Sequence, residues 1–303
     1  MLIKRILYNI KNPRYFLKKR LQEISCLLSD EIYIKLMFKT RVRYWPNLKH
    51  PKTFNEKQNW LKLHDRNPRY TLMADKFAVK KIVSSLIGEQ HVVPCFGVWE
   101  NAEDIDFDKL PNQFVLKCTH NSGGGMCICK DKSKLCIDDV RRKLNLGLKT
   151  NFYALSRVWP YKHIPPRIIA DKFLDDHTGT ELRDYKFWCF NGQPKVMYCT
   201  NKGKEIYENY YDMDFNPLNI SHGFKRQVPE IEKPIAFEEM KELAAKLSVG
   251  IPFVRVDFFY VDGVVYFGEF TFYDWGGFMA FTNKKVDRAL GDLIDLNLVK
   301  RSN

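Results

Sequence analysis

The sequence predicts an α+β fold, in which helices come first and strands dominate the second half. Apolar residues recur at helical spacing before residue 88, and runs typical of strands dominate from residue 114 onward. Two dipeptides typical of tight hairpin turns, Asn191-Gly192 and Asp262-Gly263, separate such runs. The 303 residues are 45% hydrophobic and 28% charged, which allows a sizeable core and excludes a disordered polyelectrolyte.

The helices are predicted from their start and stop signals. Thr53 and Glu56 have the spacing of a capping box, so a helix is expected to begin there. A second helix is expected from Thr71 to Leu86, with Gly88 as its stop, and a later one from Phe237 to Leu247.

The strands are predicted from short apolar runs bounded by turn residues. The expected strands are Val92–Trp99, Phe114–Cys118, Met126–Cys129, Arg167–Leu174, Tyr185–Asn191, Pro194–Thr200, Phe253–Val261 and Val264–Phe272.

Positive charge is concentrated at the amino terminus. The net charge is +13, and residues 1–52 hold 13 Lys/Arg against 3 Asp/Glu. A basic amphipathic leader over residues 1–39 either lies on an anionic inner-membrane surface or packs on its own core. Nucleic acid is an unlikely partner, because no nucleic-acid-binding motif accompanies the charge.

Other compositional signals favour a cytoplasmic protein, with a peripheral position at the inner face of the membrane as an alternative. No run of 18 apolar residues predicts a transmembrane helix, and basic residues interrupt any signal-peptide core. The eight cysteines contain no Cys-x-x-Cys pair, so we expect reduced thiols and no zinc site.

A glycine-rich loop is the first candidate for chemistry. Ser122-Gly123-Gly124-Gly125 lies between two predicted strands, and backbone amides of such a loop can wrap phosphate oxygens. An ordinary turn is the alternative. Lys117, in the apolar strand just before the loop, favours an anionic ligand. Lys186 lies in a strand in the same way.

The last hairpin carries the second candidate. Asp257 and Glu269 fall on opposite faces if Asp262-Gly263 forms a strict two-residue turn, and on one face if the connection has an odd length. We predict the odd connection, because two carboxylates among apolar residues favour a Mg²⁺ ion bridged to nucleotide phosphates. An ion pair between Arg255 and Glu269 with nothing bound is the alternative.

The order of these residues resembles the TupA-like branch of the ATP-grasp superfamily, over about residues 45–295. The segments that carry the resemblance are Thr53–Lys57, Ala74–Lys76, Lys117–Gly125, Asp184–Phe187, Phe190–Gly192 and Gly268–Phe272. The resemblance implies an ATP-grasp fold with two α+β subdomains clasping ATP. The expected domains are a basic helical extension (1–50), a helical or αβ region (51–110) and the ATP-grasp core (111–303).

The resemblance also implies roles for individual residues. Lys76 and Lys117 would contact phosphates, with Ser122, Gly123, Gly124 and Gly125 closing over them. Asp171, Lys172, Phe173 and Leu174 would form the adenine hinge, and Asp176 would hold the ribose. Lys186 and Arg255 would face the γ-phosphate as catalytic residues, while Asp257, Glu269 and Thr271 would hold magnesium. Asp171 and Thr271 depart from the Glu and Asn that many ATP-grasp enzymes have there.

The implied activity is an ADP-forming carboxylate–amine ligase, with ATP and Mg²⁺ as cofactors and an acyl-phosphate intermediate. The branch suggests that an amino acid or amine is joined to a uronic acid of a capsule or surface-polysaccharide precursor. One alternative is a glycosyltransferase that uses a nucleotide-sugar, with Asp212-Met213-Asp214 as its metal motif, although a loop explains these aspartates as well. A membrane-surface scaffold without activity is another.

Overall fold

The computed structural model describes residues 19–177, 182–202, 206–226 and 230–299, and these form the α+β architecture that the sequence predicts. Their α-helices are α1 (Asp30–Val42), α2 (Phe54–His64), α3 (Arg69–Ala74), α4 (Ala78–Ile87), α5 (Ile137–Leu148), α6 (Phe152–Ser156), α7 (Phe237–Ser248) and α8 (Lys284–Asp292). Their strands are β1 (Cys95–Trp99), β2 (Phe114–Cys118), β3 (Met126–Cys129), β4 (Ile168–Lys172), β5 (Asp184–Phe190), β6 (Gln193–Lys202), β7 (Ile206–Tyr211), β8 (Pro217–Leu218), β9 (Phe253–Val261) and β10 (Val264–Thr271).

The strands form two antiparallel sheets. The first sheet has four strands in the order β1-β4-β2-β3, and the second has six in the order β10-β9-β5-β6-β7-β8. Helix α5 contributes Val140 and Leu144 to the core of the first sheet. Helix α7 contributes Phe237, Met240 and Leu243 to the larger core of the second. Each sheet therefore has its own hydrophobic core.

Strand β2 shows how alternation keeps a lysine of an apolar strand out of the core. Phe114, Leu116 and Cys118 are buried in the first core, whereas Val115 and Lys117 alternate with them and are only partly buried. Because successive side chains of a strand point to opposite faces, Lys117 projects away from that core.

Two local predictions are confirmed in detail. Thr53 and Glu56 form the predicted capping box at the start of α2, each side chain accepting a backbone hydrogen bond from the other residue. Asn191 and Gly192 form the predicted turn between β5 and β6, with positive φ angles of 52° and 81°, and Phe190 pairs with Gln193. Positive φ at both central residues is typical of a type I′ turn.

The prediction of one continuous helix from Thr71 to Leu86 is wrong, because the chain breaks between α3 and α4. Asp75 has an extended backbone, and its Oδ1 accepts hydrogen bonds from the amides of Phe77 and Ala78, which begins α4. Its other oxygen, Oδ2, pairs with Arg167 at 2.6 Å. The break places Lys76 between two helices instead of on a helix face.

The last hairpin places Asp257 and Glu269 on one face of the sheet, as predicted, but by a different route. The two residues are direct cross-strand partners, and the predicted odd-length connection is wrong. Asp262 and Gly263 form a strict two-residue turn, because Val261 pairs with Val264. The register shifts later, where Phe267 pairs with Phe258 and Glu269 with Asp257. Gly268 is the extra residue of a β-bulge, which brings the two carboxylates onto one face.

The described part of the basic leader packs on the body of the protein. Helix α1 buries Tyr33, Ile34, Met37 and Phe38 in a cluster that also contains Phe278. Between packing and membrane binding, the structure thus shows packing from Leu21 onward, and residues 1–18 lie outside the described residues. Within the described ranges, no helix has the length and apolar character needed to cross a bilayer. All eight cysteines are free, as predicted.

Candidate active site

The candidate site residues lie where the two sheets face each other. A cavity of about 510 Å³ is lined by Ser122 from the glycine loop and by Lys186, Arg255, Glu269 and Thr271 from the second sheet. A smaller cavity of about 10 Å³ is lined by both Lys76 and Glu269. The predicted phosphate-binding and metal-binding residues are therefore neighbours in space, although about 190 residues separate Lys76 from Glu269 in the chain.

The first sheet contributes a group of lysines around one carboxylate. Asp171 is 2% exposed, and its two oxygens pair with Lys117 Nζ at 2.8 Å and Lys80 Nζ at 2.9 Å. Lys80 also donates to the carbonyl oxygen of Val93. Asp171 thus holds Lys117 at the mouth of the cleft by a partly buried, charge-assisted contact.

Lys76 connects the break between α3 and α4 to the glycine loop. Its Nζ donates to the carbonyl oxygen of Asn121, and its amide donates to the carbonyl oxygen of Thr119. Burial lowers the pKa of Lys76, and the negative charge of Glu269 partly opposes this shift. Lys76 therefore interacts electrostatically with Glu269 while its side chain is hydrogen-bonded to the loop at Asn121.

The three glycines of the loop have different environments. A Cβ at Gly123 would meet nothing within 4 Å, and one at Gly124 would lie 3.8 Å from Asn121 Nδ2. Gly125 has φ +63°, and a Cβ there would lie 2.6 Å from Cys118 Sγ and 2.8 Å from Gly147 Cα. Gly125 anchors the loop against α5, so Gly123 and Gly124 are the members with open space for a ligand.

The predicted hinge residues span the end of β4, with Asp171 and Lys172 in the strand and Phe173 and Leu174 just after it. The Lys172 amide donates to the carbonyl oxygen of Pro94, and the Lys172 side chain is exposed. Phe173 lies beneath Lys130, whose Nζ is 5.5 Å from the ring centroid. Leu174 packs against Val93 and Val261.

The predicted ribose residue lies just beyond this hinge. Asp176 Oδ2 accepts a hydrogen bond of 3.0 Å from the Arg183 amide. Beside the hinge strand, a cavity of about 30 Å³ lies between Lys80, Lys117 and Asp171 on one side and Phe259 and Phe267 on the other.

Arg255 organises the carboxylates of the second sheet. Its guanidinium binds both oxygens of Asp257 at 2.7 Å, contacts Glu269 Oε1 at 3.0 Å and donates to Asp274 Oδ1 at 2.6 Å. The ion pair between Arg255 and Glu269, considered as an alternative from the sequence, is present together with the Asp257 contact. Asp257 and Asp274 are 3% and 2% exposed, so these two members of the network are desolvated, whereas the Glu269 side chain is 37% exposed.

The two predicted metal-binding carboxylates differ in their proton affinity. Burial raises the pKa of Asp257 to about 6, although Arg255 and Lys186 favour its charged form. Burial also opposes ionisation of Glu269, but the positive charges of Arg255 and Lys76 outweigh it and lower the pKa of that carboxyl. Glu269 is therefore the more readily ionised member of the pair.

The donor set is compatible with Mg²⁺. Two carboxylates on one face are hard oxygen ligands, and magnesium in proteins is commonly held by one or two carboxylates together with substrate phosphates. The Thr271 hydroxyl donates to Glu269 Oε1 at 3.2 Å, so it supports a carboxylate oxygen in this structure. No group of three or more His, Cys, Asp or Glu side chains suited to a metal is found among the described residues.

Lys186 lies at the floor of the larger cavity. It is 5% exposed, its Nζ lies 2.6 Å from Asp184 Oδ2, and it pairs across the sheet with Asp257. This places a buried positive charge beside the Arg255 network.

Several residues of the site were not identified from the sequence. Lys80 resembles any exposed helical lysine in sequence, and only the fold shows its contact with Asp171. Asp274 lies in the aromatic segment Phe272–Gly277, where it is 2% exposed and bound to Arg255 and the Tyr198 hydroxyl. In the sequence, the feature that could have indicated a buried ionic contact is an aspartate within an aromatic run.

Lys62 supports the wall of the cavity. It is 1% exposed, and its Nζ donates to Asn59 Oδ1, to the Ser156 carbonyl and to the Gly276 carbonyl. The ring centroid of Phe278 lies 3.8 Å from this ammonium group, and burial lowers its pKa well below the usual value. Ser156 and Gly276 both line the larger cavity, so Lys62 fixes two parts of its wall.

Behind this wall, β7 carries a buried glutamate. Glu208 is 5% exposed and accepts a hydrogen bond of 2.9 Å from the Tyr210 hydroxyl. Burial raises the pKa of Glu208 to about 7, against the lowering effect of the Tyr210 hydrogen bond.

The Asp212-Met213-Asp214 segment forms a turn. Asp212 Oδ1 accepts hydrogen bonds from the amides of Asp214 and Asn216, at 2.9 and 2.8 Å, and Oδ2 accepts one from the Asn216 side chain. The loop interpretation accounts for this carboxylate, because its oxygens satisfy the connection between β7 and β8.

Solved structures resemble part of the chain. The D-alanine–D-alanine ligase from Bacillus anthracis complexed with ATP shares 18% identity and a TM-score of 0.40, covering 66% of this chain and 55% of that one. The Helicobacter pylori D-alanine–D-alanine ligase shares 14% identity and a TM-score of 0.42, covering 80% and 67%. The ATP-grasp ligase PsnB with its minimal precursor shares 11% identity and a TM-score of 0.39, covering 69% and 55%. The chain therefore spans about half the length of some structures that it matches. No curated protein matches it.

The match to a protein family covers a long continuous part of the chain. Residues 56–295 match the family described as TupA-like ATPgrasp, which covers most of the chain. This match confirms the resemblance seen in the motifs and the predicted fold class, with helical elements at the amino-terminal side. The chain belongs to the TupA-like ATP-grasp family.

Proposed function

We propose that the protein is an ATP-dependent, ADP-forming carboxylate–amine ligase. The γ-phosphoryl group of ATP would pass to a substrate carboxylate and give an acyl phosphate. An amine would then attack the acyl carbon, phosphate would leave, and an amide would form. The coarser conclusion, an ATP-grasp ligase, follows from family membership.

One observation carries the proposal. Lys76, beside the glycine loop, and Glu269, on the acidic face of the last hairpin, line one cavity and influence each other's ionisation. A triphosphate needs cationic donors along its oxygens and a hard cation between its terminal phosphates, and the site offers partners for both.

The residues would divide the work as follows. Lys76, Lys117 and the amides of the glycine loop would bind the phosphates, while backbone groups after Asp171 would read the base and Asp176 the ribose. Lys186 and Arg255 would stabilise the negative charge of the γ-phosphoryl group during transfer. Catalysis would then rest on positioning and charge, without a covalent enzyme intermediate.

Asp257 and Glu269, with Thr271 beside them, would hold the magnesium ion. When bound, Mg²⁺ neutralises part of the phosphate charge. The Gly268 bulge places the two carboxylates on one face, and Arg255 contacts both of them there.

We further propose that the acid is a uronic acid of a surface-polysaccharide precursor and that the amine belongs to an amino acid or related compound. The proposed organisation is an extension over 1–50, a preceding region over 51–110 and a core over 111–303. The site would operate in the cytoplasm.

A panel assay tests this function. The protein is incubated with ATP, Mg²⁺, uronic acids and amines, and ADP, AMP and amide are quantified. We expect ADP release that depends on both acid and amine, with equimolar amide. Release of AMP, or consumption of a UDP-sugar without ATP, would contradict the proposal.

Variants of Lys117 sharpen the assay. Lys117→Ala removes a cation that pairs with Asp171 and should weaken ATP binding tenfold or more in calorimetry, since a charge-assisted hydrogen bond contributes about 1.5–3 kcal/mol. Lys134→Ala is the matched control, because Lys134 is exposed and its one acidic partner among the described residues is Asp131, three positions earlier. Equal affinity of both variants would show that Lys117 does not bind the nucleotide.

A further inference from the structure

The cavity beside the proposed phosphate site is large enough for a small organic ligand. Its volume of about 510 Å³ lies in the range typical of small-ligand pockets. Among its lining residues, Lys186 is buried and the Arg255 side chain is 11% exposed, and aromatic rings form much of the remaining wall. The aromatic residues of the wall are Phe152, Tyr161, Tyr198, Phe272, Tyr273, Trp275 and Phe278.

Part of the wall comes from outside the family match. Gln22, Met37 and Arg41 line the cavity, and all three precede residue 56, where the match begins. Any selectivity that they provide therefore belongs to the amino-terminal segment and not to the shared ATP-grasp core.

This segment is held firmly in place. Asp30, the first residue of α1, pairs with Arg66 at 3.1 Å and with Arg157 Nε at 3.0 Å, and it accepts hydrogen bonds from the Tyr153 hydroxyl. The Tyr33 hydroxyl donates to the carbonyl oxygen of Leu155 at 2.9 Å. Because Leu155 also lines the cavity, α1 and α6 form one connected wall.

The basic side chains that line the cavity differ in whether they form ion pairs with carboxylates. Arg255 contacts three carboxylates, and Lys186 pairs with Asp184. Arg41 is exposed, and no acidic side chain pairs with it in the described parts of the chain. The cavity lining therefore combines two basic side chains that carboxylates compensate with the exposed guanidinium of Arg41, which has no acidic partner among the described residues.

We propose that this cavity binds a sugar acid that carries a second anionic group, a phosphate ester, and that Arg41 binds this phosphate at the rim. The proposal rests on the ligase function above. The carboxylate would lie beside Lys186 and Arg255, and the sugar ring would pack against the aromatic wall. Guanidinium binds phosphate through paired N–H donors, which makes Arg41 suited to this contact.

Two sources share this chemistry, a sugar 1-phosphate and a nucleoside-diphosphate sugar. Calorimetry with the full chain compares glucuronic and galacturonic acids, their 1-phosphates and their UDP conjugates. The titrations are run with AMPPNP and Mg²⁺ present, so that the nucleotide site is filled. The wild-type protein should bind at least one phosphorylated form tenfold or more tightly than its free acid, and the preferred form identifies the source.

The variant Arg41→Gln should lose this preference and bind the free acid with unchanged affinity. Lys39→Gln is the control. Lys39 lies on the same helix near Trp45 and does not line the cavity, so this substitution removes one positive charge outside the cavity. The proposal is overturned if wild type shows no preference for any phosphorylated form, or if Arg41→Gln retains it.

A separate titration with AMPPNP keeps the two proposals distinct. If AMPPNP does not bind, the proposed ligase function fails, and the Arg41→Gln comparison is repeated without it. If AMPPNP binds while no phosphate preference exists, only the inference about Arg41 fails.

Discussion

Beside the first sheet a strand lysine and a helix lysine share one carboxylate, whereas beside the second sheet one arginine is shared by three carboxylates. The group of Lys80, Lys117 and Asp171 carries a positive surplus. The group of Arg255, Asp257, Glu269 and Asp274 carries a negative surplus when its carboxylates are ionised. The first side is thus suited to phosphate oxygens and the second to a divalent cation, so the two sides can grip one anionic ligand through different chemistry.

The largest expected effect comes from breaking the acidic side. Glu269→Gln keeps the shape but removes the more readily ionised carboxylate of the pair. We expect ADP formation to fall about a hundredfold or more, which corresponds to about 3 kcal/mol of transition-state stabilisation. Steady-state ADP release at saturating ATP and Mg²⁺ measures this.

The control for this variant is Asp262→Asn at the tip of the same hairpin. Asp262 is exposed and contacts only His177 in the described ion pairs. Normal ADP release by Glu269→Gln, or an equal loss in both variants, would remove Glu269 from the proposed metal site.

The next effect concerns the lysine-rich side and its loop. Gly125→Ala would place a Cβ against Cys118 and Gly147 at positive φ, and should lower the free energy of unfolding by about 2–4 kcal/mol. Gly123→Ala has the same backbone strain but open space, and should cost about 1 kcal/mol. Urea unfolding of the two variants gives the comparison. Equal destabilisation would mean that close packing against α5 does not anchor the loop.

The smallest effect tests the polar residues behind the acidic side. The pKa of Glu208 is raised from 4.5 to about 7 in the folded protein. Between pH 4.5 and pH 7 the folded state therefore holds a proton on Glu208 that the unfolded state has lost. The carboxyl therefore lowers stability as pH rises through about 7. Glu208→Gln, which keeps an acceptor for Tyr210, should be about 1–2 kcal/mol more stable than wild type at pH 8.5.

This difference should fade toward pH 5, where wild-type Glu208 is protonated in the folded state. Thermal unfolding at both pH values measures the effect. A variant that is less stable than wild type at pH 8.5 would show that the Glu208 charge is compensated in the folded protein.

The sequence predicts most of the fold because its elements obey local rules. The strand Phe114–Cys118, the capping box at Thr53 and the Asn191-Gly192 turn each depend on neighbouring residues, and all three are confirmed. The break at Asp75 was missed, because the helix is interrupted by contacts with Arg167, which lies far away in the chain.

The candidate site was predictable in composition but not in geometry. The shared face of Asp257 and Glu269 is predicted correctly, but the bulge at Gly268 that produces it is not, since a single glycine in a strand does not reveal whether it pairs. Lys80 was missed because its role depends on Asp171, which only the fold brings near it.

Lys62 has a consequence for how the cavity keeps its shape. Buried carbonyl groups in protein interiors are commonly satisfied by trapped water, which exchanges with solvent. Here the Lys62 ammonium group of α2 donates to the carbonyl oxygens of Ser156 and Gly276. Unlike a water molecule, this donor is part of the protein and cannot exchange with solvent. The lining can thus shed its solvent when a ligand enters without leaving these two acceptors bare.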